Sequence, residues 1–315
     1  MSNFTSSSEF LLLEFSDIRE LHLLHFFVFL AVYLTAVTGN LLIIIAVAHD
    51  YHLHTPMYFF LVNLAVLDLG SVSVTVPKAM ANSLINSRSI SYFGCAAQVF
   101  FYPLFGGSDL AFLTIMAHDR YVAICNPLQY ETIMHKGACI QMAVSAWISG
   151  IVYGTLHTGG TFSITFCSNI INQFFCEIPQ LLKLSCSDLY LVEIGLLVLS
   201  AIVALGCFIF IVLTYKEILA TVLRIPSVQG QKKALSTCLP HLTVVSLLVF
   251  TGMFAYVKPP AKTSSDLDIL FAVLYAILPP LLNPFIYSMR NKEIKTALLK
   301  LFNSGHSSST NRTLP

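Results

Sequence analysis

Seven stretches of the sequence are each long and apolar enough to cross a lipid bilayer as one helix. A spanning helix needs about 20 mostly apolar residues. The stretches lie at 26–48, 57–80, 95–118, 139–158, 191–215, 238–257 and 267–289. They are continuous runs, unlike the segments of about 10 residues with alternating polarity that build a membrane-spanning strand barrel. The sequence therefore predicts an all-α membrane protein, a bundle of seven transmembrane helices.

The composition supports a membrane location and narrows the functional classes. Of the 315 residues, 56% are hydrophobic and 10% are charged, whereas soluble domains have about 45–50% and about 25%. The 17 Lys and Arg residues nearly balance the 16 Asp and Glu residues, so the net charge predicts no nucleic-acid partner. The sequence lacks metal-ligand spacing and nucleophile motifs, so it does not predict an enzyme. It also lacks the internal repeat of many transporters, although a transporter or channel is the rival from another class.

The distribution of Lys and Arg predicts which side of the membrane each loop faces. With the N-terminus outside, cytoplasmic segments hold eleven of these residues and outer segments hold six, as the positive-inside rule requires. The chain then divides into an extracellular tail at 1–25, a seven-helix domain at 26–290 and a cytoplasmic segment at 291–315. The part at 291–302 has one apolar face and three lysines, which predicts an amphipathic helix on the membrane surface. Asn3 begins a glycosylation sequon in the outer tail.

Four of the eight cysteines, Cys95, Cys167, Cys176 and Cys186, lie on the predicted outer side. The oxidising exterior makes disulfides plausible, and four cysteines permit three pairings. All but Cys95 lie in the connection at 159–190. That connection is long for a structureless loop, which predicts a functional or covalently tethered segment.

Five short motifs follow one another in order along nearly the whole chain. They are Gly39-Asn40 in the first span, Pro56-Met57-Tyr58-Phe59-Phe60-Leu61 with Asp68 in the second, Met116-Ala117-His118-Asp119-Arg120-Tyr121-Val122-Ala123-Ile124-Cys125 after the third, Lys233-Ala234-Leu235-Ser236-Thr237-Cys238 in the sixth and Pro279-Pro280-Leu281-Leu282-Asn283-Pro284-Phe285-Ile286-Tyr287-Ser288 in the seventh. With them the chain resembles an odorant (olfactory) receptor of the rhodopsin-like G-protein-coupled superfamily. Leu248-Val249-Phe250 departs from the Phe-Tyr-Gly that this family commonly has in span six.

The resemblance implies a function, partners and a location. It implies a plasma-membrane receptor that binds a small volatile odorant and activates a heterotrimeric G protein of the stimulatory (olfactory) class, which raises cyclic AMP. A receptor of the same superfamily outside the olfactory group is the closest rival, and the span-two and span-six motifs argue against it. The family resemblance also implies a cysteine pairing, Cys95–Cys176 and Cys167–Cys186, which the spacing permits but does not select.

Coupling and switching are predicted at the cytoplasmic ends of the spans. Adjacent acid and base at the end of span three can pair and hold the arginine inward, and a proline inside span seven kinks that helix. The residues in this group are Asp119, Arg120, Tyr121, Tyr215, Asn283, Pro284 and Tyr287. The alternatives are a plain interfacial charge pair and a static kink.

The ligand site is predicted between the outer halves of spans three, five, six and seven, where the resembling family binds its ligands. Helical spacing gives the inward candidates Tyr102, Pro103, Gly106, Gly107, Leu110, Leu199, Ser200, Val203, Val249, Gly252, Met253, Tyr256, Val273, Ala276 and Ile277, with His157 of span four nearby. This lining is apolar with a few hydroxyls, and Tyr102 stands where amine receptors have an Asp. We therefore expect a small, neutral, mostly apolar ligand. The pair Gly106-Gly107 leaves room for the ligand or permits close helix packing.

Two acidic residues, Asp68 and Asp109, lie deep in predicted spans, whereas Lys78 and Glu193 lie near span ends, where they can reach the headgroups. An ionisable residue at membrane depth is a functional hypothesis by default. Two carboxylates, joined by Asn40, Asn283 and Ser108, suit a sodium ion or one shared proton. A protonated Asp that bonds across helices is the equal alternative, and no other cofactor is predicted.

Overall fold

The computed structural model describes residues 9–13, 19–85, 87–257, 266–290 and 292–310, and within these it leaves out the side chains of 19, 233, 237, 253–257, 266–272, 288–290 and 302–310. Asn3, the predicted glycosylation site, lies outside the described residues. The helices are α1 (Arg19–His49), α2 (Pro56–Ile85), α3 (Tyr92–Cys125), α4 (Tyr130–Ile133), α5 (Lys136–Phe162), α6 (Ile178–Leu182), α7 (Tyr190–Leu223), α8 (Val228–Val257), α9 (Asp266–Arg290) and α10 (Lys292–Thr310). Two short strands, β1 (Glu9–Leu11) and β2 (Ser89–Ser91), pair antiparallel.

Seven long helices correspond to the seven predicted spans. In the described part of the chain, α1, α2, α3, α5, α7 and α8 are each long and apolar enough to cross a membrane, and α9 adds a shorter apolar segment at Val273–Tyr287. The seven-helix prediction is thus confirmed. Most of the long helices extend beyond the predicted spans, and α3 begins at Tyr92, where the Ser91 side chain accepts a hydrogen bond from the Gly94 N–H at 3.1 Å.

Helix α3 lies at the centre of the bundle and packs most extensively against α5, with further contacts to α2 and α7. Small residues bring α5 close to it, since a Cβ added at Gly154 would lie 2.5 Å from the Phe100 carbonyl oxygen. Such close approach through small residues is typical of helix packing in membranes, where no hydrophobic force drives helices together. This packing fixes the central helix that carries both the outer cavity and the cytoplasmic charge pair described below.

The long outer connection folds back over the bundle instead of standing away from it. Disulfides join Cys95 to Cys176 and Cys167 to Cys186, which is the pairing that the family resemblance implies. The N-terminal strand also holds this connection, because the Leu11 N–H donates to the Asn169 carbonyl at 2.7 Å. The buried rings of the connection then pack against the outer ends of the spans and close the bundle from outside.

Helix α10 lies against the cytoplasmic end of the bundle. Its residues Ile294 and Ala297 are buried, as the predicted apolar face requires. The Tyr58 hydroxyl of α2 donates to Glu293 at 2.6 Å, and Lys300 pairs with the Asp50 carboxylate at 3.0 Å. The hydrogen bond from Lys300 lowers the pKa of Asp50. These contacts connect α10 to α2 and to the first cytoplasmic turn.

Candidate functional site

A small cavity opens between α3, α9 and the outer connection. The space between its walls, counted together with the part that is open to solvent, amounts to about 180 Å³. Its lining residues share a position at the outer end of the bundle and are Gln98, Val99, Tyr102, Pro103, Phe175, Cys176, Glu177, Ile178 and Tyr275. Four of these nine come from the outer connection, so a loop supplies much of the wall.

Aromatic rings and one carboxylate define the chemistry of this cavity. The Tyr102 ring lies 5.3 Å from Phe175 and 5.7 Å from Tyr275, measured between ring centroids. The Tyr275 hydroxyl donates a hydrogen bond of 2.9 Å to the Glu177 carboxylate. Glu177 is 5% exposed. Sequence reasoning missed Glu177, Phe175 and Tyr275, since it listed inward positions of the spans only and chose Ala276 on α9.

Several predicted ligand residues lie at or below this cavity. Tyr102 and Pro103 line it, while Ala276 and Ile277 are buried with Val273 partly buried beside them. Leu110 and Val249 are partly buried, and neither is among the residues that line the cavity. The side chains of Met253 and Tyr256 lie outside the described residues.

The predicted glycines differ in their surroundings. A Cβ at Gly107 would lie 3.0 Å from the Tyr153 ring, whereas Gly106 and Gly252 have no such neighbour within 4 Å. Gly107 therefore serves close packing of α3 on α5. Space remains beside Gly106 and Gly252.

The prediction that Leu199 and Val203 face inward is wrong. They are 56% and 57% exposed on the outer surface of α7. The rotation of α7 is set by its buried side, which carries Glu193 and, seven residues later, the partly buried Ser200. Seven residues make nearly two helical turns, so these two share a face and Leu199 and Val203 fall beside it.

A buried polar cluster between α5 and α7 also corrects the expectation that Glu193 reaches the headgroups. Glu193 is fully buried and its Oε1 contacts Nδ1 of His157, which is 1% exposed. The other ring nitrogen of His157 lies 3.0 Å from the Ser200 hydroxyl. A Cβ at Gly160 would collide with the Glu193 carboxylate, so the glycine makes space for it. The sequence showed both ionisable residues but gave no signal that they pair.

A second polar cluster lies at mid-membrane depth. Asn283 of α9 donates to both carboxylate oxygens of Asp68, at 3.2 and 3.0 Å. Asp109 of α3 lies close to Asp68. Among the described residues, Asp109 Oδ1, Asn40 Oδ1 and Asn283 Oδ1 are buried without a hydrogen-bond partner.

Two residues predicted to join this cluster, Asn40 and Ser108, make hydrogen bonds to other helices. The Asn40 amide group donates to the Pro280 carbonyl at 3.0 Å, which ties α1 to α9. Ser108 does not join the acids, because its hydroxyl donates to the Ala146 carbonyl of α5 at 3.2 Å.

The cytoplasmic end of α3 carries the predicted charge pair. Arg120 Nη2 lies 2.8 Å from Asp119 Oδ2, and the Tyr130 hydroxyl of α4 donates to Asp119 Oδ1 at 2.8 Å. Burial raises the pKa of the Tyr130 phenol above its ordinary value and the neighbouring Asp119 adds to the shift, so the hydroxyl stays protonated and able to donate. Sequence reasoning missed this partner, because α4 is one turn in a loop.

Three helices meet about two turns deeper, at a buried histidine. The Tyr215 hydroxyl of α7 lies 2.8 Å from Nδ1 of His241 in α8, whose Nε2 lies 2.9 Å from the Leu113 carbonyl of α3. The predicted switch residue Tyr287 is buried nearby in the same core, and its hydroxyl has no partner among the described residues. The described structure thus connects α3, α7 and α8 just above the charge pair.

Comparisons with known proteins agree over nearly the whole chain. The family profile described as "Olfactory receptor" matches residues 29–304. The chain is 54% identical to human Olfactory receptor 14I1 over 303 residues, which are 96% of this chain and 97% of that protein. It is 49% identical to human Olfactory receptor 14A16 over 299 residues, covering 95% and 96% of the two chains. Gorilla Olfactory receptor 1G1 is 46% identical over 300 residues, covering 95% and 96%.

Proposed function

The chain belongs to the olfactory receptor family, whose members are G-protein-coupled receptors and not enzymes, and from this premise we propose which ligand and which G protein it uses. The ligand is a small, neutral, mostly apolar volatile, and the partner is a stimulatory G protein that raises cyclic AMP. The receptor acts in the plasma membrane. It is a multi-pass membrane protein in which odorant and G protein meet opposite ends of one bundle.

The single observation that carries this proposal is that one helix, α3, contributes to both the outer cavity and the cytoplasmic charge pair. Tyr102 lines the outer cavity and Arg120 lies at the cytoplasmic end of α3, 18 residues later along the same helix. At 1.5 Å per residue these positions are about 27 Å apart. Ligand contacts that move α3 against its neighbours therefore act on the charge pair directly. The aromatic cavity wall favours an apolar ligand through burial of its surface.

The proposal is tested with a cyclic-AMP reporter in cells that bring the receptor to the surface. A panel of neutral odorants is applied at graded concentrations, with cells that lack the receptor as the control. The expected result is a saturable response to at least one member of the panel. A receptor that is labelled at the surface and responds to no neutral odorant, but to a charged one, contradicts the proposed ligand class.

Tyr130 is proposed to stabilise Asp119 after Arg120 leaves it for the G protein. The Asp119 carboxylate is fully buried, and a buried charge without partners is costly. Tyr130→Phe removes the donor from α4, so release of Arg120 becomes less favourable. A hydrogen bond to a charged group contributes enough that we expect the half-maximal odorant concentration to rise about tenfold.

The matched control is Tyr51→Phe, which changes a 72% exposed tyrosine on the first cytoplasmic turn. It is expected to leave the dose-response curve unchanged. A Tyr130→Phe receptor with higher basal cyclic AMP would contradict this role, since it would mean that Tyr130 restrains the switch.

The acidic cluster at mid-membrane depth is proposed to bind sodium. Carboxylate and amide oxygens are the ligands of small hard cations, and the buried oxygens of Asp109, Asn40 and Asn283 that lack partners among the described residues fit such a site. The described residues contain no cluster of three or more His, Cys, Asp or Glu side chains that could hold a metal ion, so amide oxygens would have to complete the ligand set. Sodium would hold α2, α3 and α9 together in one packing.

Asp109→Asn is expected to remove the sodium effect on stability. A ligand at about ten times its dissociation constant stabilises the folded state by about 1.4 kcal/mol, so the thermal midpoint of purified receptor is expected to be higher in sodium than in potassium chloride. Asp109→Asn abolishes this difference, and the control Asp50→Asn on the cytoplasmic side keeps it. Equal midpoints of the unchanged receptor in both salts contradict the sodium site and favour a protonated Asp.

A further inference from the structure

We propose that strand β1 is a reversible latch, which holds the outer connection over the bundle and releases it when an odorant enters or leaves. This inference rests on the proposed function, because it assigns the odorant a route between the exterior and the bundle. The part of the connection concerned is 169–176, which we call the cover. One end of the cover is joined to a span by a covalent bond, whereas the other end pairs with β1 through non-covalent contacts.

The fixed end of the cover is Cys176, whose disulfide to Cys95 joins it to the outer end of α3. The two residues before it, Phe174 and Phe175, are 2% and 1% exposed. Their rings pack in a cluster with side chains of α1, α2 and α9, so they close the bundle from outside. The disulfide therefore keeps this closure attached to α3 even when the rest of the cover moves.

The other end of the cover pairs with the N-terminal segment as with a neighbouring strand. The N–H and the carbonyl of Leu11 bond the Asn169 carbonyl and the Ile171 N–H at 2.7 and 2.8 Å. The Leu13 N–H donates to the Gln173 carbonyl at 2.9 Å. Strand β2 pairs with the opposite edge of β1, so β1 lies between β2 and the cover. Hydrogen bonds of this kind break and re-form readily, which a latch requires.

Two side chains hold the N-terminal segment in place. Phe10 and Leu12 are two residues apart in extended chain, so they share one face, and both are buried. They belong to the hydrophobic cluster that also contains Ile171 and Cys176 of the cover. The Phe10 ring further contacts that of Phe166 in the outer connection, with 5.5 Å between centroids. Loss of the Phe10 ring therefore weakens the latch and leaves the covalent end of the cover unchanged.

A latch changes the rates of binding and leaves the affinity nearly unchanged. The dissociation constant is the ratio of the dissociation rate to the association rate. In this inference the odorant binds below the cover without touching β1, so a cover that opens more often speeds entry and exit by the same factor. A residue that only supports folding would lower the surface label or the maximal response and would not change both rates together.

Phe10→Ala in the full-length receptor is expected to make the onset and the decay of the response each about tenfold faster, because a buried phenylalanine contributes strongly to packing. The measurement is energy transfer between labelled receptor and labelled G protein in perfused cells, at a low concentration of an active odorant and after its washout. The half-maximal concentration at equilibrium is expected to stay within about twofold. Phe93→Ala, which removes an 83% exposed ring at the outer end of α3, is the control with unchanged rates.

A cross-link tests the latch in the opposite direction. Leu11 and Ile170 are partners in the parallel pairing of β1 with the cover. Paired strands lie about 4.7–4.9 Å apart, which is within the Cα separation of about 4.4–6.8 Å that a disulfide spans. Leu11→Cys/Ile170→Cys, with the new disulfide verified by mass spectrometry, is expected to slow onset and decay several-fold. Each single cysteine variant serves as its control.

Unchanged onset and decay in both Phe10→Ala and the cross-linked receptor overturn the inference, because the odorant then has another route. A shifted half-maximal concentration at unchanged rates overturns it as well, since β1 would then shape the binding site. If Phe10→Ala fails to reach the surface, the cross-linked receptor decides, and rates equal to those of its single-cysteine controls overturn the latch.

The outcomes separate this inference from the proposed function. A surface-labelled receptor that responds only to charged odorants contradicts the proposed ligand class, and the latch is then measured with such an odorant. A receptor that responds to neutral odorants at rates that neither variant changes contradicts the latch and leaves the proposed function standing.

Discussion

Replacing Arg120 by alanine is expected to abolish the odorant-evoked cyclic-AMP response while the receptor remains at the cell surface. Arg120 is the cation at the cytoplasmic end of α3, and its side chain is 14% exposed while paired with Asp119. Once released it can reach backbone carbonyls of the G protein, and alanine offers no donor for them. The measurement is the odorant dose-response curve, normalised to surface label.

Asp119→Asn is the matched variant, because it weakens the same pair from the other side and keeps the arginine. It is expected to raise basal cyclic AMP, the opposite of the Arg120→Ala effect. Opposite signs for two changes in one ion pair cannot come from general loss of folding. A normal odorant response in Arg120→Ala would contradict the assigned role and leave the pair as an interfacial anchor.

Replacing Glu193 by leucine is expected to leave most of the receptor unable to reach the surface. The change removes the Glu193 partner of His157, which is 1% exposed in the interface between α5 and α7. Leaving a buried hydrogen-bonding group unsatisfied costs about 1–3 kcal/mol, which is a substantial share of a typical stability of about 5–15 kcal/mol. Surface label and the thermal midpoint of detergent-extracted receptor measure the loss.

The double variant His157→Leu/Glu193→Leu is expected to recover much of the surface label and thermal midpoint, since apolar replacements of a whole buried pair are often neutral. Val192→Leu, which changes a 57% exposed residue of the same helix, is the control for substitution in α7. Single variants with normal surface label, or a double variant less stable than both singles, would show that the two residues do not act as a pair.

The spans could be predicted because length and continuous apolarity are local properties of the sequence. Their ends could not be fixed from apolarity alone, since helical hydrogen bonding continues beyond the hydrocarbon. Helix α3 runs from Tyr92 to Cys125, several residues past the predicted 95–118 at each end. The charge pair Asp119–Arg120 therefore lies within the last turns of α3, on a rigid element.

The rotation of α7 could not be predicted because that helix is apolar on every side. Leucine, isoleucine and valine occur all round it, so periodicity gave no inward face, and Leu199 and Val203 were chosen wrongly. The face is set instead by Glu193, whose partner His157 is 36 residues away along the chain. Such a contact depends on the packing of α5 against α7 and leaves no local pattern.

The cavity wall was hard to predict for a related reason. Phe175 and Glu177 belong to a connection with no helical or strand periodicity, and their placement depends on the disulfide from Cys176 to Cys95 and on contacts with α2 and α3. The absence of charge from the outer spans suggested a pocket without ionisable groups. The structure places a buried carboxylate there from the loop.

The most direct test of the central claim removes the G protein and not the receptor. An active odorant is applied to receptor-expressing cells that lack the stimulatory α-subunit, and to the same cells after that subunit is restored, with surface label equal in both. We expect no cyclic-AMP rise in the first and a full dose-response curve in the second. A cyclic-AMP rise or an odorant-evoked current that persists without the α-subunit would contradict the account and indicate a different transducer or a channel.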